Sequence, residues 1–307
     1  MKVSVVLATY NGCAYILPLL KSLVSQSEKI DEVIISDDCS TDDTFDIVKK
    51  FIDACHLHNW IAYRNKTNIG FKKNFLNAMK MATGDLIFPC DQDDVWHHEK
   101  IRIFKETMES WDKINVLFCR SISFTGDCSF VFPEVNSDLD ESKLREVKFA
   151  EEVRECYGAG HLICLRRKFM LNYIDSVIRY DLTFDIPFCL LAAKYCSLYE
   201  LNSTLVARRF HSNNTSGATK YKYDAIRSRY RIIEGRKTRL GYFQFVVATA
   251  ENKDIDKEFM EFIDIFRNAL FGIENRCFKS IVTELFTHNR YVNKILTLVA
   301  VFSFFHK

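Results

Sequence analysis

Three of the four residues in Asp91-Gln92-Asp93-Asp94 are carboxylates, and they follow directly on the apolar segment Leu86-Ile87-Phe88-Pro89-Cys90. Like charges packed this closely repel one another. A hard divalent cation held through oxygen ligands, and itself bound to a substrate's phosphates, relieves that repulsion. The same run also suits a solvated turn capping a helix that begins near Trp96, because helix N-termini favour Asp. Three further polar clusters bear on the choice. Thr9-Tyr10-Asn11-Gly12 and Ser36-Asp37-Asp38-Cys39-Ser40 gather hydroxyls, amides and carboxylates with no lysine, and Asn68-Ile69-Gly70 leads into Lys73. Which chemistry applies depends on whether the fold brings these clusters together.

The elements around them suggest that it does. Val3 to Ala8 is apolar and β-branched with no polar face, as in a strand buried on both sides of a parallel sheet. Val33-Ile34-Ile35, Trp60 to Tyr63 and Leu86 to Cys90 read as three more strands. Helices are expected over Tyr15 to Val24, Asp42 to Ile52, and from the Asn68–Gly70 turn to about Met81. This β-α-β-α-β-α-β alternation predicts an α/β fold, with a parallel sheet and helices on both faces. Ligands bind such sheets beyond the carboxyl ends of the strands, where all four polar clusters fall. Later strands are expected at Val116–Cys119, Ser129–Phe132, His161–Leu165 and Leu205–Arg209, with a helix over Phe188–Tyr195. Residues 133–150 read as a charged excursion.

The 307 residues have room for one large core, or for a domain of about 200 residues with an appendage. A net charge of +2 gives no bulk electrostatic reason to expect nucleic acid as a partner. Eleven cysteines without a CxxC pair argue against a zinc site or a disulfide framework, and fit a reducing cytoplasm. Lys2 leads straight into the first strand, which is not how a secretory leader begins. Lys and Arg thicken from Lys220 to Arg239, and Ile295–Phe305 is an uncharged apolar run too short to span a bilayer. That region could lie on a membrane surface or pack as ordinary helix.

Taken together, the segments VSVVLATYNG, IISDDCSTDDT and NKTNIGFKKNFLNAMKMATGDLIFPCDQDDVW resemble family 2 glycosyltransferases. GAGHLICLRRKF, TFDIPFCLLAA and VARRFHSNNTSG are similar to that family's later blocks. The likeness is greatest to bacterial enzymes of O-antigen and capsule synthesis, rhamnosyltransferases among them. It implies a GT-A fold over residues 1–217, with a nucleotide-binding half of about 1–115 and an acceptor half of about 116–217. A helical, basic region would follow over 218–307. It further implies that Thr9, Tyr10, Asn11, Asp37, Asp38, Asn68, Gly70, Lys73, Asp91 and Gln92 bind a UDP- or dTDP-sugar. A carboxylate at Asp38 suits a pyrimidine N3–H, since it can only accept.

By the same resemblance, Asp93 would be the main ligand of Mn2+ or Mg2+, with Asp91, Asp94 and His211 as further metal residues. Asp185 would be the general base, with Asp181 as second choice. Trp96, Gly160, His161 and Arg209 would border the donor and acceptor pocket. The implied reaction is inverting transfer to a growing, lipid-linked glycan at the cytoplasmic face of the inner membrane. A nucleotidyltransferase of related core is the competing enzyme, although Thr9-Tyr10-Asn11-Gly12 is not its phosphate loop. A non-catalytic nucleotide-sugar-binding protein is the alternative outside enzymes. No GxGxxG follows the first strand, as a dinucleotide-binding oxidoreductase would require.

Overall fold

Val3–Thr9 forms β1 with every residue but Ala8 buried, because its branched apolar side chains have a helix layer to enter on each face. In the computed structural model the described residues are 1–126, 130–134, 141–155, 159–211, 229–249, 257–275, 289 and 291–292. β1 lies parallel to β2 (Glu32–Asp37) on one side and to β4 (Leu86–Asp91) on the other, and β2 is parallel to β3 (Trp60–Arg64). The connecting helices are α1 (Ile16–Val24), α2 (Thr44–Ala54) and α3 (Phe71–Met81). Val3, Val5 and Leu7 join a core cluster with residues of α1, α2 and α4 (Lys100–Ser110). Strand alternation turns Val6 and Ile34 to the other face, where they are buried too, and α3 packs on β1 and β2.

Beyond β4 the sheet becomes mixed. β5 (Val95–Trp96), β6 (Val116–Phe124), β7 (Leu144–Glu146), β8 (Ile163–Arg166) and β9 (Leu198–Arg209) complete it, in the order β3-β2-β1-β4-β8-β6-β9-β5 with β7 on β9. β8 runs antiparallel to β4 and β6, while β9 is parallel to β6. The strand expected at Ser129–Phe132 is absent from the described residues 130–134. Phe130 instead packs on Phe124, with ring centroids 4.6 Å apart, and Phe132 sits edge-on to His97 at 5.0 Å. Further helices are α5 (Phe149–Glu155), α6 (Arg167–Arg179) and α7 (Asp185–Lys194).

Two compact units divide the chain: residues 1–147 with 158–210, and residues 148–157 with 211–307. The second unit contains α5, α8 (Arg229–Thr249) and α9 (Lys257–Glu274). Its interior is aromatic, with Phe243 edge-on to Phe259, Phe262 and Phe266. Some of the basic run is spent internally here. Arg236 is buried over the Phe266 ring, Lys237 pairs with Glu274 at 3.0 Å, and Arg239 donates to the Arg154 carbonyl at 3.1 Å. Lys220, Lys222, Arg227 and the apolar run 295–305 lie outside the described residues. No described helix is long and apolar enough to cross a membrane.

Candidate active site

Register alone places the polar clusters on one line. Thr9 pairs with Asp37, Asp37 with Arg64, and Ala8 with Asp91, so β1 to β4 end together at one edge of the sheet. The turn after β1 is tight, with Asn11 in the left-handed region at φ 48°. Asn11 accepts from the Thr41 amide at 2.8 Å, and its own amide donates to Ser40 Oγ at 3.0 Å. Gln92 reaches back across the edge. Its amide group accepts from Tyr10 N at 3.0 Å and donates to Tyr10 O at 2.9 Å. A Cβ at position 12 would lie 2.2 Å from Gln92 Oε1, so this clamp requires glycine there.

The two carboxylates after β2 face inward and hold the loops. Asp37 is wholly buried and accepts from the Ser40 amide at 3.0 Å and Thr9 Oγ1 at 3.1 Å, with Arg64 Nε 3.3 Å away. Asp38 accepts from Asn65 Nδ2, the Ile69 amide and the Gly70 amide, each at 2.9 Å. These bonds fold the turn before α3, where Gly70 takes a φ of 86°. The Gly70 amide also donates to Asn68 Oδ1 at 3.1 Å. Asn68 and Lys73 are exposed on this turn and the first turn of α3.

The acidic run forms the turn between β4 and β5. β5 pairs with β9 through Val95–Ala207 and Trp96–Val206, so the residues that end β9 close on the turn from behind. The Arg209 amide donates to Asp94 Oδ1 at 3.2 Å, and its Nε donates to the Asp93 carbonyl at 3.1 Å. Its guanidinium also donates to the Gly126 carbonyl and lies over Phe124, with 4.5 Å to the ring centroid. Arg209 is thus a buried strut rather than a surface cation. Trp96 is buried as well, against Phe88, with Lys100 Nζ 3.5 Å from its ring centroid. It anchors the core beneath the turn and is closed to a ligand.

Among the described residues, the metal-ligand atoms that converge belong to Asp91, Asp94 and His161, all within 4.8 Å of one another. Asp93 is not in this group, and His211 opens the second unit. The donor set fits a divalent cation: two carboxylates and a ring nitrogen, with Asp94 Oδ2 and His161 Nε2 buried and lacking any hydrogen-bond partner. Burial, then the Asp91 and Asp93 carboxylates, pushes the Asp94 carboxyl well above its ordinary value. Asp91 is pushed up by desolvation first, and then by Asp93 and Asp185. Because 44% of the Asp91 side chain still meets solvent, the crowding of carboxylates is the firmer of these causes.

Asp185 acts on Asp91 electrostatically from the first turn of α7, where its Oδ1 accepts from the Ile186 amide at 2.9 Å. Asp181 is instead exposed and paired with Lys72 at 3.6 Å. Phe184, just before Asp185, is buried. Its ring is 4.6 Å from that of Phe75, and it covers Gly160 so closely that a Cβ there would fall 2.5 Å from the ring. Two cations that were given no site role from the sequence act on the group electrostatically. Lys100 is fully buried and donates to the His161 carbonyl at 3.0 Å, with burial pushing its pKa down. Arg208 is felt by Asp91, Asp94 and His161. The only sequence signal for Lys100 is its spacing of three and four residues from Ile103 and Phe104, which puts a lysine on a mostly apolar helix face.

A family model described as glycosyl transferase family 2 matches residues 4–164. The chain belongs to this family. Among curated relatives, dTDP-rhamnosyl transferase RfbG of Shigella flexneri is 37% identical over 176 residues, which cover 56% of this chain and 57% of RfbG. Staphylococcus aureus TarS, a poly(ribitol-phosphate) beta-N-acetylglucosaminyltransferase, is 38% identical over 104 residues, or 33% of this chain and 18% of TarS. The chain therefore spans little more than half of one of these relatives and a small part of the other. A crystal structure of TarS with UDP superposes with a TM-score of 0.59 at 19% identity, covering 94% of this chain and 75% of that one. The mannosyltransferase PcManGT of Pyrobaculum calidifontis, in complex with GDP-Man and Mn2+, gives 0.59 at 13% identity, covering 98% and 86%. The fold of this family 2 member is GT-A.

Proposed function

We propose that this protein is an inverting, metal-dependent glycosyltransferase. It moves a sugar from a UDP- or dTDP-sugar to a hydroxyl of a lipid-linked bacterial surface glycan. The observation that carries the reading is the convergence, at one edge of a family 2 fold, of the Asp91–Asp94–His161 group with the Asp185 carboxylate. Asp91 and Asp94 would hold Mn2+ or Mg2+, which when bound would supply positive charge to the leaving diphosphate. Asp185 accepts the proton of the acceptor hydroxyl while that oxygen forms the new bond to the anomeric carbon. The bond from that carbon to the diphosphate breaks, and the nucleoside diphosphate departs. Displacement from the opposite side inverts the anomeric centre.

The loops held by Asp37 and Asp38 frame the nucleoside. Asp38, buried beneath the turn before α3, shapes the loop through its bonds to Asn65, Ile69 and Gly70. The relative RfbG is named for dTDP-rhamnose chemistry, which favours a deoxyhexose from dTDP over other donors. Thermal unfolding of the full chain with UDP, dTDP or GDP, each with Mn2+, tests the donor class. Ligand at about 100 times its Kd stabilises by roughly 2.7 kcal/mol, which raises Tm by several degrees. A rise with UDP or dTDP is expected; a rise with GDP alone contradicts the pyrimidine reading. Peripheral attachment at the cytoplasmic face of the inner membrane follows from the acceptor and from the basic C-terminal run. It predicts co-sedimentation with anionic vesicles that salt reverses, and equal recovery with neutral vesicles would count against it.

A further inference from the structure

We propose that the His161 imidazole is the third protein ligand of the donor-site cation, beside Asp91 and Asp94, and that it makes the site select Mn2+ over Mg2+. The proposal rests on the reading of a metal-dependent site. The topology puts His161 there. β8 pairs antiparallel with the start of β4, through Leu86–Arg166 and Ile87–Leu165. The residues just before β8 therefore lie alongside the end of β4, where Asp91 begins the acidic turn. His161 occupies a single helical turn, Gly160–Leu162, in that place, with its Nδ1 3.6 Å from Asp91 Oδ2.

The turn is held so that the ring has little freedom. Lys100 Nζ donates to the His161 carbonyl, and the Phe184 ring covers Gly160 too closely to admit a Cβ. His161 is 5% exposed and its Nε2 has no partner; Asp94 is 2% exposed and its Oδ2 has none. Buried polar atoms normally have a partner, and a cation is one that Asp94 Oδ2 and His161 Nε2 can share. The candidate ligand atoms of the three residues lie within 4.8 Å of one another, close enough to turn toward one shared cation. Mg2+ prefers oxygen ligands and keeps its waters, whereas an imidazole raises affinity for first-row transition ions.

Electron spin-echo modulation of Mn2+ bound to the full chain, alone and with UDP, tests this directly. We expect 14N modulation that changes to the 15N pattern after labelling with [15N]histidine. It should vanish in His161→Gln, with Mn2+ affinity falling at least tenfold and the preference over Mg2+ shrinking. Modulation that survives in folded His161→Gln, or that is lost in His211→Gln, overturns the proposal. So does bound Mn2+ with no nitrogen modulation, an outcome that leaves the metal-dependent reading standing. Failure of Mn2+ to bind even with UDP removes both. Should His161→Gln not fold, persistence of the modulation in His211→Gln sustains the assignment, and its loss there overturns it.

Discussion

At the scale of single residues, the site depends on amides and carboxylates spent on backbone rather than aimed at a ligand. Gln92 is the sharpest case, since its side chain closes a two-bond clamp on the Tyr10 backbone and so ties the turn after β1 to the acidic turn. Gln92→Ala should leave the fold intact while weakening donor binding about tenfold. Gly12→Ala, which drives a Cβ into the same amide, should do likewise, and the double variant should cost no more than either single. Calorimetric Kd values check this; additive losses would separate the two residues. The acidic run was legible in the sequence because three carboxylates in four residues need a counter-charge wherever they sit. His161 and Lys100 were harder to read, since sequence does not encode burial. A histidine after glycine and a lysine among apolar neighbours acquire their roles only when β8 and α4 are brought beneath the turn.

At the scale of elements, β1 to β4 were readable because each centres on a short, mostly apolar run between polar turns. β5 and β7 were not, being two and three residues long and defined by pairing with the distant β9. Expected strand ends also moved: β9 begins at Leu198 rather than Leu205, since its early residues, interrupted by Glu200 and Asn202-Ser203-Thr204, are held by pairing with β6 and β7. Within that stretch Glu200 joins three strands. Its carboxylate accepts from Arg120 Nε at 3.0 Å on β6 and from Arg145 at 2.7 and 3.0 Å on β7. Desolvation opposes its ionisation, but the Arg145 and Arg120 hydrogen bonds outweigh that and hold its pKa below the ordinary 4.5. A folded-state pKa below the unfolded one means stability that is full above pH 4.5 and lost as pH falls through the folded value. Because both arginines are about half exposed, Glu200→Gln should cost only about 1–2 kcal/mol at pH 7. Denaturant titrations should show that difference closing toward pH 3; a constant difference would deny the charged origin.

At the scale of the whole molecule, the first unit carries a GT-A sheet whose parallel half ends in the polar loops after β1, β2 and β4 and whose mixed half returns α7, β8 and β9 to the same edge. The alternation of strands and helices revealed the first half in the sequence. In the second half the strands near Val116, His161 and Leu205 and the helix from Phe188 were legible one by one, but their order in the sheet was not, because pairings between distant segments leave no periodic trace. The helical second unit, with its Phe243 and Phe259 interior, uses part of the basic run for its own packing. The central claim is that Asp185 removes the acceptor's proton beside a cation-binding acidic group. The most direct test is nucleoside diphosphate release from UDP- and dTDP-sugars with Mn2+, comparing the full chain with Asp185→Asn. Loss of a general base lowers rates by about a hundredfold to ten-thousandfold. The account predicts a loss in that range for Asp185→Asn with donor Kd unchanged; release at the wild-type rate by Asp185→Asn would contradict it.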